Sequence, residues 1–260
     1  MPKSNAQQSL TQKYQYELLP QKHIVPLYTA DSRAHRLSIQ KPFDSRGYIG
    51  SMGGIFPVAS ISNTKQKLQF SVASTVYTTL NRWTNRGQVI NVDFFVDLFL
   101  DFQLNENFSL RSGMGHTSQH LSDDATQAGL VPINYVRDFY QIFVNYKNTS
   151  HRFFTYGGIT YNHNFKTTTN ISGFSILQVG LEHSPIKWGN HNFLYYAADF
   201  KFREESNFAS TNNFQLGYKY ALENSHVLRL AINQFNGLTE IGQNYKQSTT
   251  FNTIGLYFDF

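Results

Sequence analysis

The stretch VINVDFFVDLFLDFQL, residues 89 to 104, restricts the fold of this chain more than any other. Its even positions, Ile90, Val92, Phe94, Val96, Leu98, Leu100, Phe102 and Leu104, are all apolar, while the odd ones include Asn91, Asp93, Asp97, Asp101 and Gln103. Side chains alternate between the two faces of a β-strand, so a period of two makes one face wholly apolar and the other largely polar. At about 3.4 Å per residue, such a strand far exceeds the five or six residues usual in globular sheets.

The alternation recurs with the same parity. Leu68, Phe70, Val72 and Val76 oppose Gln69, Ser71 and Thr75; Leu194, Tyr196, Phe200 and Phe202 oppose Asp199, Lys201 and Arg203. Phe214, Leu216, Tyr218 and Tyr220 oppose Gln215 and Lys219, Leu228, Leu230 and Ile232 oppose Arg229 and Asn233, and Ile254, Leu256, Phe258 and Phe260 oppose Thr253 and Asp259. The parity of strands 151–164 and 171–184 stays open. Soluble sandwiches alternate too, with short strands and polar faces rich in Lys and Glu. Here charges sit mid-strand and the apolar face is aromatic at both ends, which favours a transmembrane barrel with its apolar side to lipid and its polar side to the lumen.

Composition agrees. Aromatic content is 16% against 15% charged, a balance unlike a disordered chain or an ordinary soluble surface. No run of about 18 uncharged apolar residues exists, which excludes a transmembrane helix. The absence of cysteine excludes a disulfide framework, a thiol nucleophile and a cysteine metal site. A net charge of +5 that gathers into no basic stripe argues against nucleic acid as a partner. The opening MPKSNAQQSL lacks the apolar core of a secretory signal, so export implies a mature form.

Breaks in the pattern delimit twelve strands, over 33–43, 47–60, 67–79, 88–104, 107–119, 133–147, 151–164, 171–184, 190–203, 211–223, 225–236 and 249–260. Connections near 61–66, 105–106, 148–150, 185–189 and 224 are mostly tight, and those at 80–87, 120–132, 165–170, 204–210 and 237–248 are longer. Short periplasmic turns and long outer loops are the expected asymmetry of an all-β, 12-stranded antiparallel outer-membrane barrel, with both termini periplasmic. Residues 31–260 are read as this one barrel, and residues 1–30 as an extension that is disordered, periplasmic or tucked into the lumen. The closing NTIGLYFDF resembles the C-terminal signal by which bacterial outer-membrane barrels are recognised for assembly.

The register carries chemistry inward. A turn near Asn105 and Glu106 sets Asp101 opposite Arg111, which predicts an ion pair. Asp93, Asp97, Asp101, Asp138 and Asp199 against Arg111, Arg137, Lys147, Lys201, Arg203, Lys219 and Arg229 predict a lumen crossed by charges, which either plug a narrow barrel or line a pore.

The stretch RSGMGHTSQHLSDDATQAGLVPINYVRDFYQ, residues 111 to 141, is the most reactive in type. His116 and Ser118 share the even, lipid-facing parity on one strand, and Asn134 opens the next. Two residues on one strand face lie about 6 to 7 Å apart along it, within reach of an imidazole and a hydroxyl. Ser118 would be the nucleophile, His116 its base and Asn134 the group that orients the ring. This arrangement resembles the outer-membrane phospholipase A family, a twelve-stranded barrel with His-x-Ser on one strand and Asn on the next, and is similar to the lipid A deacylases. The phospholipases follow the Ser with Asn-Gly, where this chain has Gln119 and His120. Asp123 and Asp124 supply oxygens of the kind Ca²⁺ takes. The same polar residues, His120 included, also suit a network that locks the longest outer loop to the rim.

The segments PLYTADSRAHRLS, GHTSQHLSDD, INYVRDFYQ, YYAADFKFREES and NGLTEIGQ resemble, in the same order, the signature segments of a bacterial family of outer-membrane barrels described only as a domain of unknown function. That family typically has Ala-Asp-Pro-Arg, then His-x-Ser-Ser-His-Leu-Gly-Asp-Glu, then Asn-Tyr-Ser-Arg-Glu. This chain has Ser32, Gln119, Ser122, Asp124, Val136 and Asp138 at the departing positions. The resemblance implies the barrel and no particular activity. Two functions stay open: a non-enzymatic channel, receptor or envelope scaffold, with a second copy or other envelope proteins as partners, and an acyl hydrolase acting on outer-membrane lipid.

Overall fold

The structure, a computed structural model, describes residues 14–81, 87–133, 135–166, 170–171, 173–222, 226–242 and 247–260. Its strands, in chain order, are β1 (Gln15–Leu18), β2 (Leu37–Pro42), β3 (Tyr48–Ser62), β4 (Lys67–Asn81), β5 (Gln88–Gln103), β6 (Phe108–Leu121), β7 (Tyr135–Asn148), β8 (Phe153–Lys166), β9 (Asn170–Ile171), β10 (Phe174–Trp188), β11 (Asn192–Arg203), β12 (Ala209–Ala221), β13 (Val227–Leu238) and β14 (Ser248–Asp259). One short helix, α1 (Asp123–Gln127), follows β6. All pairings are antiparallel, and twelve strands, β2 to β8 and β10 to β14, form a closed ring. β9 extends the edge of β8, and β1 pairs with the end of β3 that β2 does not reach. We call the end with the tight connections the turn end and the other the loop end.

The period of two explains the wall. β5 buries Asp93, Asp97 and Asp101 against the lumen and exposes Phe94, Val96, Leu98 and Leu100. Around the ring the outward residues are of the same kind, among them Met114, Ile142, Val144, Leu194, Leu216, Leu230, Ile232 and Leu256. No helix among the described residues is long and apolar enough to cross a membrane; this barrel crosses with strands, whose ring leaves few backbone groups unpaired and whose belt meets lipid.

β8 and β10 carry the opposite parity. Tyr156, Thr160, Asn162, Ile176 and Gln178 face inward, while Ile159, Tyr161, Leu177 and Val179 face out. The first ring strand is shorter than the expected 33–43, because Arg33 to Arg36 do not join the wall. Between β1 and β2 the chain enters the lumen instead. Gln69 of β4 holds it there by donating to Lys22 O at 2.8 Å and accepting from Ile24 N at 3.1 Å. Val25, Ala30 and Arg36 are then almost wholly buried, and the Tyr28 ring stacks on Tyr156 of β8 with centroids 3.7 Å apart.

The ring closes with a step. Ser38 pairs with both Ser51 and Tyr257, so β14 ends level with the middle of β3. Phe260 fills that step against Gly54, where a Cβ would come within 2.6 Å of its ring. His23 Nε2 donates to Phe260 O at 3.1 Å, tying the N-terminal segment to the last residue.

Candidate functional site

Asp97 is the centre of the lumen. It lies mid-strand on β5 with 3% of its side chain exposed, a position in which an unpaired carboxylate would be strongly disfavoured. The lumen segment supplies both partners. Arg33 Nη2 donates to Asp97 Oδ1 and Oδ2 at 2.8 and 2.6 Å, and His35 Nε2 donates to Oδ2 at 2.7 Å while Nδ1 shares a hydrogen bond with Thr75 Oγ1 at 3.0 Å. The Arg33 guanidinium also lies over the Phe139 ring, 4.4 Å from its centroid, a face that attracts a desolvated cation. Gly115 of β6 makes the room: a Cβ there would lie 1.9 Å from Asp97 Oδ1 and 2.2 Å from the Phe139 ring.

A second centre lies nearer the loop end. Glu240, beyond β13, turns into the lumen and accepts from Lys201 Nζ at 2.5 Å and Ser32 Oγ at 2.7 Å, with Arg203 Nη2 at 3.4 Å. Lys201 donates to Asp31 as well, at 2.6 Å. Gln119 Nε2 donates to Glu240 O, and Gly242 N donates to Asp93 Oδ2 at 2.6 Å, so the connection after β13 caps the lumen from above while residues 31–35 fill it from below. Arg137 pairs with Glu205 at 2.8 Å and lies over Phe165. Among the described residues these groups fill the middle of the barrel and leave a cavity of about 60 Å³, room for a few waters.

Other expected lumen charges are placed as follows. Arg111 Nε and Nη2 donate to the two oxygens of Asp101 at 2.7 and 2.8 Å, and Arg229 binds Asp259 in the same two-pronged way, at 2.6 and 2.8 Å. Asp93 and Asp199 are held by neutral donors, Asn91 and Gly242 for the first and Tyr156 and Gln178 for the second. Asp138 is a correction. It was expected among the lumen charges, but it neighbours the inward Arg137 and therefore projects from the outer face of the barrel.

There it meets His116. The two residues are register partners across β6 and β7, and His116 Nδ1 donates to Asp138 Oδ1 at 2.6 Å. A bulge in the β7–β8 pairing brings Asn164 opposite Asp138, and its Nδ2 donates to Oδ2 at 2.5 Å. His116 is 47% and Asp138 31% exposed, so the pair is open to whatever surrounds the barrel. Ser118 faces the same way, opposite Val136; among the described residues no hydrogen bond joins it to His116. Asn134 lies outside the described residues.

GHTSQHLSDD is thus divided by strand geometry. Thr117 and Gln119 point into the lumen, while His116, Ser118 and His120 point out. Ser122 caps α1, its Oγ accepting from Ala125 N at 3.1 Å. Asp123 and Asp124 occupy the first turn of that helix, where carboxylates suit the free N–H groups, and Asp124 Oδ2 accepts from Val89 N at 3.2 Å. Among the described residues no group of three or more His, Asp or Glu side chains is placed to hold a metal ion.

Sequence reasoning missed Asp31, Arg33, His35, Glu205 and Glu240 as lumen groups. A signal existed: ADSRAHR concentrates charge, and both it and TEIGQ break the alternation, which is how a chain that leaves the wall reads.

No match was found among curated protein sequences. Among solved structures the chain is similar to the translocator domain of the autotransporter NalP from Neisseria meningitidis, with 11% identity over 86% of each chain and a TM-score of 0.44. It is also similar to the toluene transporter TodX of Pseudomonas putida, with 11% identity over 83% of this chain and 70% of that one and a TM-score of 0.38. OprB of Pseudomonas putida in its low-pH structure gives 10% identity over 85% and 88% and a TM-score of 0.35. A family model matches residues 16–260, which contain the whole ring and the lumen segment, and the chain belongs to that family, the proteins of unknown function DUF1207.

Proposed function

We propose that this chain is a bacterial outer-membrane barrel, turn end to the periplasm, whose lumen is a passage closed at rest by residues 20–36 and by the Glu240 connection. The observation that carries this reading is the way the lumen is filled. Besides the apolar packing of Val25, Leu27, Tyr28 and Ala30, the segment is tied to the wall by charged, directional bonds, Arg33 and His35 to Asp97 and Asp31 to Lys201, and water can replace such bonds once either side is displaced. Planar-bilayer recording tests the gate: wild type is silent or conducts rarely, and Asp97→Asn combined with Arg33→Gln raises the open fraction about tenfold, as a loss of about 1.4 kcal/mol from the closed state requires. A silent double variant that still inserts as a heat-modifiable barrel contradicts the gate.

The cap has its own pH signature. Burial pushes the Glu240 carboxyl up, but Lys201 and Arg203 outweigh burial and hold it well below the usual carboxylate range. A carboxyl depressed in the folded state contributes stability above its unfolded value near 4.5 and loses it only as pH falls towards the depressed value. The melting-temperature advantage of wild type over Glu240→Gln is therefore constant from pH 7 to about pH 5 and shrinks below that. An advantage that disappears between pH 7 and 5 contradicts the Lys201–Glu240–Arg203 contact.

One observation favours a second reading, an acyl hydrolase of outer-leaflet lipid. The Asp138 carboxylate on His116 Nδ1 would fix the ring tautomer and leave Nε2 to take the proton of Ser118 as its Oγ attacks an ester carbonyl, then return it to the departing alcohol. Asp138 then fills the role first given to Asn134. Fatty acid release is measured from phospholipid and lipopolysaccharide, with and without Ca²⁺, for wild type, Ser118→Ala, His116→Ala and Asp138→Asn. Release abolished by the first two and lowered by the third supports the hydrolase; absent release, or release indifferent to Ser118, ends it.

A further inference from the structure

At the turn end the lumen widens into a second cavity, of about 390 Å³, within the range of about 300 to 1,000 Å³ typical of small-molecule sites. It is separated from the filled centre by the lumen segment: Leu27 borders both cavities, and Tyr28, stacked on Tyr156, stands on the central side. The cavity is therefore reached without disturbing Asp97 or Glu240, although His23, Pro26, Leu27 and Thr29 of the same segment form one of its walls.

Its walls have two characters. Phe154 and Phe193 give it aromatic sides, with Leu27 and Val227 between them. Four cations reach it, and two of these are neutralised inside the wall. Lys219 pairs with Glu182, which also accepts from Thr29, and Arg229 grips Asp259. The other two are not. Among the described residues Lys147 Nζ makes no hydrogen bond or contact ion pair, the carboxylate that acts on it, Glu182, being bound to Lys219, and the Arg152 guanidinium donates only to the carbonyls of Ser184 at 2.8 Å and Pro185 at 3.1 Å. The Ser184 hydroxyl, buried at the same wall, has no partner either. Lys147 lies at the end of β7 as the register partner of Phe154, and Arg152 lies in the turn that follows, so positive charge adjoins an aromatic surface.

We propose that this cavity binds a small organic phosphate, its dianionic head held by Lys147 and Arg152 and its apolar group laid against Phe154 and Phe193. Two unneutralised cations match a dianion better than a monoanion, and a guanidinium with protons to spare suits a phosphate oxygen. Aromatic walls select an organic ester over the inorganic ion. The volume admits a single ring or a short chain and not a two-chain lipid, so the ligand comes from the aqueous side.

The test uses the full chain in phosphatidylcholine nanodiscs, titrated calorimetrically with phenyl phosphate, inorganic phosphate, benzyl alcohol and a short-chain phosphatidic acid. Phenyl phosphate binds saturably at one site, and the other three bind at least about tenfold more weakly. Lys147→Gln combined with Arg152→Gln weakens phenyl phosphate about tenfold or more, Lys147→Arg retains it, and Lys65→Gln, in a different turn, leaves it unchanged. If the double variant fails to insert, Lys147→Gln alone and a salt titration of wild type read the same head-group contact. Absence of saturable phenyl phosphate binding, equal binding of inorganic phosphate, or affinity indifferent to Lys147 overturns the proposal.

Discussion

A carboxylate on the wall of a narrow barrel must find compensation within reach, and Asp97 finds it in a segment that does not belong to the wall. Arg33 and His35 reach it from residues 20–36, so the need to satisfy one buried acid fixes the path of the chain between β1 and β2. Much else follows from that path. Asp31 is carried to Lys201, Ser32 to Glu240, Tyr28 to the face of Tyr156 and Thr29 to Glu182. The two cavities are what remains on either side of this strut. Gly115 is the small residue that permits the arrangement, since a methyl group in its place would occupy the position of the Asp97 oxygen.

The wall was legible in the sequence because lipid on one side and a polar lumen on the other impose a period of two on every long strand. Where the constraint is local, detail was legible too: the tight connection after β5 fixes the register that sets Asp101 against Arg111. The lumen segment was not, because its contacts join residues remote in sequence, Arg33 with Asp97 and Asp31 with Lys201, through space that no periodicity describes. Charged residues at 31–36 also read as the start of a strand when only their distance from Leu37 is considered. Strands β8 and β10 hid their parity because Tyr and Phe suit either face: Tyr156 is buried in the lumen while Tyr161, five residues on, faces out.

The outer face poses a different physical problem. His116, Asp138 and Asn164 form a connected polar group on the side of the barrel that otherwise presents Phe, Leu and Val. Such groups are tolerated near the interfacial ends of strands and disfavoured at mid-membrane, and these lie near the loop end of β6, β7 and β8. Asp138 was assigned to the wrong face because it sits beside Arg137 in sequence; strand geometry sends neighbours to opposite sides. One sequence motif therefore serves two compartments, with Gln119 holding the cap inside and His116 meeting Asp138 outside.

The lock between the lumen segment and the wall is the feature from which the cavities, the closed centre and the proposed gate all derive. Amide hydrogen exchange across residues 24–36, in the barrel reconstituted in lipid, measures it most directly. Protection comparable to that of the β5 and β6 amides is predicted for wild type, with loss confined to this segment when Asp97 is changed to Asn. Rapid exchange of residues 24–36 in the wild-type barrel, with the strands protected, would mean that the segment is not held in the lumen and would contradict the account.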